Sequence, residues 1–119
     1  MKRDMELVRK LLFCIESDKD WGDCLGPHSL EVVLGHLEIM MDAKLLVGRI
    51  YRDTNGDLKS AFVQRLTWAG HEFLDNARND TVWNKVTTTI KNAATTASFE
   101  VLVEMLKAGV LAVVKSEEW

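Results

Sequence analysis

Proline occurs once in 119 residues, at Pro27, and neither internal repeats nor low-complexity stretches divide the chain. One domain is therefore the expectation for this length. Cysteine occurs only twice, too seldom for a disulfide framework, and Cys14 and Cys24 are expected as free thiols in a reducing compartment. Uninterrupted apolar runs are missing as well. The most apolar segment, FEVLVEMLKAGVLAVVK, is broken by Glu100, Glu104 and Lys107 and is too short to span a bilayer. The start, MKRDMELVRK, alternates charged and apolar residues and lacks the core of a signal peptide. A cytoplasmic protein without membrane contact is expected. There is no cationic excess, since the net charge is −3, and the chain as a whole does not attract polyanions. A Gly-rich phosphate loop, a nucleophile elbow and a supported Ser-His-Asp order are all absent. No enzyme and no cofactor are expected.

What is present suits a folded domain. The 47% hydrophobic and 28% charged content is that of a globular chain, and this length buries roughly two-thirds of its unfolded surface. A first helix is expected from Asp4 to Ser17, with Met5, Val8, Leu11, Leu12 and Ile15 on one stripe and Asp4 as its cap. Arg3, Arg9, Lys10 and Glu16 are expected to face water. DKDWGDCLGPH follows as a loop or short strand, because Gly22, Gly26 and Pro27 break helices. Behind a Ser29 cap, Leu30, Val33, Leu34, Leu37, Met40 and Met41 mark a second helix to Ala43. Asn55-Gly56 predicts a β-hairpin with a tight two-residue turn, and the alternation breaks at Gly48, where a bulge is expected. A third helix starts behind Thr67 with Gly70, Phe73, Leu74 and Ala77 on one face. Asn79-Asp80-Thr81 caps a fourth carrying Val82, Val86 and Ile90, and TTTIKNAATTAS leaves its end undefined because threonine forms helices poorly. A fifth, over 98–114, is apolar more than halfway round, which suits burial in the core or against another subunit.

The order of helix, short extended piece, helix, hairpin and helix resembles the winged-helix arrangement, with the second helix in the recognition position and the hairpin as wing. RLTWAGHEFL looks like the wing-to-helix passage of such proteins: a Leu-Thr cap, then Gly70 where a helix starting against a strand needs close approach. MKRDMELVRKLL together with RLTWAGHEFLDNARNDTVWNKV resembles a family of bacterial and prophage-encoded proteins of this length to which no reaction is assigned. The resemblance implies a winged-helix-like core and frequent association with mobile elements. One departure concerns the end of the second helix, where the family's Ala-Gly-Leu is here Ala43-Lys44-Leu45. Lysine enters a left-handed cap less readily than glycine. The expected fold class is mostly α (α+β): a winged-helix-like core over 1–80 and two further helices over 81–119, forming one domain.

Two clusters invite a metal reading. His71-Glu72 starts like the zinc motif His-Glu-x-x-His, yet position 75 is Asp75 rather than the second histidine. Cys14, Cys24, His28 and His36 lack the close pairing of zinc ligands. Neither is expected to hold a metal. Trp68 and Trp83 are expected in the core as large aromatics near helix starts.

Charge layout separates the binding readings. The second helix carries Glu31, Glu38 and Asp42 and no cation, which opposes entry into a phosphate-lined groove. The wing carries Lys44, Arg49, Arg52, Lys59 and Arg65 against Asp53 and Asp57, five minus two, or +3. Those cations suit an anionic partner or phosphate, or else protect exposed strand edges from pairing. The leading expectation is a non-enzymatic module that contacts a protein partner through the acidic helix (Glu31, Glu38, Asp42) and Trp119, as a mobile-element adaptor or inhibitor. A DNA-binding regulator using the basic wing is the alternative. Self-association through the helix at 98–114 is compatible with either.

Overall fold

Asp4, Ser29, Thr67 and Asn79 each offer a side-chain oxygen to an otherwise unpaired N–H at a helix start, and four helices begin directly behind them. The computed structural model describes residues 1–92 and 99–117. Along it run α1 (Met5–Glu16), α2 (Leu30–Asp42), β1 (Leu46–Arg52), β2 (Leu58–Leu66), α3 (Trp68–Ala77), α4 (Asp80–Asn92) and α5 (Phe99–Glu117). The second half of the Thr-rich stretch and Trp119 lie outside the described residues. The chain divides into two compact units, 1–72 and 73–119, with the division inside α3.

In the first unit, Leu7, Val8, Leu11 and Leu12 of α1 and Val33, Leu34, Leu37 and Met40 of α2 are buried with Leu45, Leu46 and Leu66 at the root of the hairpin. Each such aliphatic side chain contributes about 1.5–3 kcal/mol by leaving water. Both helices end in the same way. Asp18 (φ 59°) and Lys44 (φ 63°) take the left-handed conformation. In α1 the N–H groups of Asp18 and Lys19 return to the carbonyls of Ile15 and Cys14, and in α2 those of Lys44 and Leu45 return to Met41 and Met40. This is the Schellman pattern, which normally selects glycine. Lys44 therefore holds the strained position that its sequence context assigned to it.

The hairpin forms where expected, with a different loop. Asp53 N–H donates to the Asp57 carbonyl and Gly56 N–H to the Asp53 carbonyl, so three residues, Thr54 to Gly56, make the connection. Of these only Gly56 has positive φ, at 86°. The two-residue Asn-Gly turn is thus corrected to a type I turn followed by a left-handed glycine. The Asp53 carboxylate selects it by accepting N–H groups from Asn55 and Asp57. The antiparallel register shifts between Val47 and Gly48, as the sequence suggested, and again between Tyr51 and Arg52. The skipped residues, Gln64 and Lys59, are both in β2.

Other expectations change with packing. Of the two expected forms, loop or short strand, the segment between α1 and α2 takes the loop, with a single 3-10 turn at Trp21–Cys24. Cys14 and Cys24 are joined in a disulfide with Cα atoms 6.5 Å apart, not free. The left-handed end of α1 turns the chain back and brings the 3-10 turn beside the helix. Arg9 is buried rather than solvated: its guanidinium lies 5.2 Å from the Phe13 ring centroid and 3.7 Å from Glu6. Trp68 is 80% exposed, against expectation. Gly70, Phe73, Leu74 and Ala77 set the inward stripe of α3, and Trp68 lies about half a turn away from it. Its indole N–H instead donates to Glu72 one turn on, at 2.8 Å.

The second unit has its own core. Trp83 is fully buried and meets Phe73 edge to face, with centroids 6.4 Å apart and planes at 89°. Leu74, Ala77, Val82, Val86, Leu102 and Leu106 are buried as well, and Val82 of α4 lies against Gly109 of α5.

Candidate functional site: the outer face of the hairpin

The junction below the hairpin is built on Thr67. Its N–H donates to the Leu45 carbonyl, its hydroxyl donates to the Lys44 carbonyl, and the same oxygen accepts from Gly70 N–H. A side chain at position 70 would place its Cβ 2.2 Å from the Leu45 carbonyl oxygen. The first turn of α3 is thereby pinned to the start of β1, at the root of the hairpin.

Strand pairing assigns the two faces. Leu46, Gly48 and Ile50 of β1 share one face with Ala61, Val63 and Leu66 of β2. α2 packs on this inner side, where the Met41 methyl lies over Gly48. Val47, Arg49 and Tyr51 share the other face with Ser60, Phe62 and Arg65. On that outer face Tyr51 is 48% and Phe62 55% exposed. Val47, Gly48, Arg49, Tyr51, Phe62 and Gln64 line a groove of ≈ 390 Å³. A neighbouring groove of ≈ 490 Å³ shares Phe62 and Gln64 as its wall and has Asp18, Asp20 and Trp21 across from them. Trp21 braces that side by donating its indole N–H to the Ala61 carbonyl at 3.3 Å.

The residues nominated from sequence separate into groups. Arg52 and Glu38, assigned to opposite surfaces, are bonded to each other: the guanidinium reaches both carboxylate oxygens at 2.6 and 2.8 Å and also the Gly56 carbonyl at 2.7 Å. The pair is part-exposed, with side chains 45% and 35% accessible, and so contributes modestly to stability, up to about 1 kcal/mol. Its larger effect is to remove one cation and one anion from the set open to partners. The side chains of Arg49, Lys44 and Lys59 are exposed and make no hydrogen bond or ion pair with the described residues. Arg65 turns back to the Leu66 carbonyl at 3.0 Å. Glu31 and Asp42 are exposed on α2. Trp119 lies outside the described residues.

Sequence reasoning missed Tyr51, Phe62 and Gln64. Period-two alternation would have placed Tyr51 with Arg49, but the two shifts in β2 hide which of its residues face outward.

The metal candidates resolve into structural contacts. His71 is exposed, Glu72 accepts from Trp68, and Asp75 pairs with Arg78 at 3.1 Å. His36 is fully buried, and both ring nitrogens are engaged. Nε2 lies 2.8 Å from Asp4 N and must accept, while Nδ1 lies 2.8 Å from the Val32 carbonyl and must donate. The partners thus fix a neutral tautomer that ties α2 to the start of α1. Among the described residues, no group of three or more His, Cys, Asp or Glu side chains is placed to hold a metal. No described helix is long and apolar enough to cross a membrane.

Comparison with known proteins places this geometry in a family. No solved structure matches the chain. An uncharacterised protein of Haemophilus influenzae (strain Rd) is 36% identical over 107 residues, covering 86% of this chain and 89% of the relative. The family model described as hypothetical protein (DUF2513) matches residues 2–97, which include the whole hairpin and its junction with α3. The chain belongs to the DUF2513 family.

Proposed function

We propose that this protein is a non-enzymatic binding module of winged-helix type that engages a protein partner through the outer face of its hairpin. One observation carries the reading: Tyr51 and Phe62 stand exposed beside the unpaired Arg49 on the strand face turned away from α2. Tyrosine and arginine are enriched among the residues that dominate protein interfaces, and such anchors work in small central clusters. The carboxylates Glu31 and Asp42 are exposed on α2, on the other side of the hairpin, where they suit a separate contact with the same partner. The resemblance to mobile-element proteins suits an adaptor or inhibitor acting on a host complex. Exposed Val101 and Leu111 on α5 leave self-association as part of the same activity.

The test is recovery from the native host. Tagged protein should retain a stoichiometric partner, and Tyr51→Ser with Phe62→Ser should reduce recovery at least about tenfold. Absence of partner and of self-association, or recovery indifferent to both substitutions, refutes the reading.

The free cations Lys44, Arg49 and Lys59 favour a second reading, phosphate contact by the wing on duplex DNA. It requires a shift of duplex DNA at low salt that Arg49→Ala with Lys59→Ala abolishes. A parent protein that gives no shift ends it.

A further inference from the structure

We infer that the partner presents to the hairpin an acidic, extended segment bearing an apolar side chain, which seats in the groove between Tyr51 and Phe62. This rests on the hairpin's outer face being the contact surface and adds the chemistry of what docks there. The groove, ≈ 390 Å³, falls at the small end of the range for ligand clefts, roughly 300–1,000 Å³. It is scaled to one or two side chains rather than to a broad folded surface. Gly48 contributes no side chain to it, while Val47, the Tyr51 ring and the Phe62 ring make its apolar lining. The Arg49 guanidinium, the Tyr51 hydroxyl and the Gln64 carboxamide are polar groups around the rim with no partner among the described residues. Lys59 is one of the two residues skipped in the strand pairing, and it is exposed and unpaired. A groove that joins two exposed aromatic rings to one unpaired guanidinium and neutral hydrogen-bonding groups is complementary to an apolar side chain flanked by carboxylates.

The extent of the cationic field selects a peptide over a nucleic acid. Carboxylates bound it on several sides: Asp53 and Asp57 at the hairpin end, Asp18 and Asp20 across the neighbouring groove, and Glu38 behind Arg52. A nucleic-acid strand carries one charge per nucleotide, about every 3.4 Å along a duplex strand, and would leave the cations for these carboxylates within a few nucleotides. A protein segment can place acids only where cations meet them.

The experiment is an amide-shift titration of the isotopically labelled full chain. Three probes are compared: a short synthetic peptide with a central phenylalanine flanked by Glu and Asp, the same peptide with lysine flanks, and oligothymidylate. The acidic peptide is expected to shift the amides of 47–52 and 60–65, with affinity falling as salt is raised. Arg49→Ala and Phe62→Ser should each weaken it about tenfold, and their own spectra report whether the fold is kept. Absence of hairpin shifts, equal shifts from the lysine peptide, or tighter binding of oligothymidylate overturns the inference. If a cellular complex still depends on Phe62 while the acidic peptide fails, the contact surface stands and only its chemistry is wrong.

Discussion

Lys44 combines two roles at one residue. It is a free cation at the foot of the hairpin, and it holds a backbone conformation that costs an L-residue about 1–2 kcal/mol. Glycine would remove that strain and leave the carbonyls of Met40 and Met41 paired as before. Lys44→Gly is therefore expected to raise stability by roughly 1 kcal/mol, read as a higher urea midpoint with unchanged slope. A lower midpoint would mean that the lysine side chain makes a stabilising contact outweighing the strain. His36 is the opposite case. With Cys14, Cys24 and His28 it forms a metal candidate that is not expected to hold an ion, and burial with a donor on one nitrogen and an acceptor on the other makes it a tie between helices. No sequence pattern distinguishes these roles, because the partners are backbone groups of Asp4 and Val32.

The joints between elements show which parts of the fold were legible. Helix starts were readable because a cap is local: Asp4, Ser29, Thr67 and Asn79 each bond to an N–H two or three residues on. The break at Gly48 was readable for the same reason. The hairpin loop was only partly so: Gly56 is left-handed as expected, but the Asp53 carboxylate holds a three-residue loop in which Asn55 is not. The exposure of Trp68 and the Arg52–Glu38 pair depend on how elements meet and had no local signal. The candidate site fared likewise: its cations were nominated, and its aromatic pair was not. Gly70 is the joint most exposed to test. Its neighbour is a backbone carbonyl, which cannot rotate aside, so Gly70→Ala must move either β1 or α3. A loss of about 1–3 kcal/mol or more is expected, with broadened amide signals near Leu45 and Thr67. A neutral result would show that the two elements are further apart than 2.2 Å from Cβ to oxygen implies.

At the scale of the whole molecule, a net charge of −3 conceals an uneven distribution. The aromatic pair and the free cations gathered on the hairpin belong to the unit 1–72, whereas Trp83, the largest fully buried side chain among the described residues, belongs to the unit 73–119. Stability of the second unit and recognition by the first should then be separable by mutation. Trp83→Ala removes the edge-to-face contact with Phe73 and leaves a cavity, at a cost of about 3–5 kcal/mol. Hydrogen exchange at low temperature should quicken most at the amides of α4 and of α5 near Leu102 and Leu106, because local opening follows the packing that has been lost. Amides of Arg49 to Arg52 should keep most of their protection, and the acidic peptide should still shift them. Loss of peptide binding with the hairpin still protected would show that recognition extends beyond the first unit, and the assignment of binding to the hairpin alone would fail.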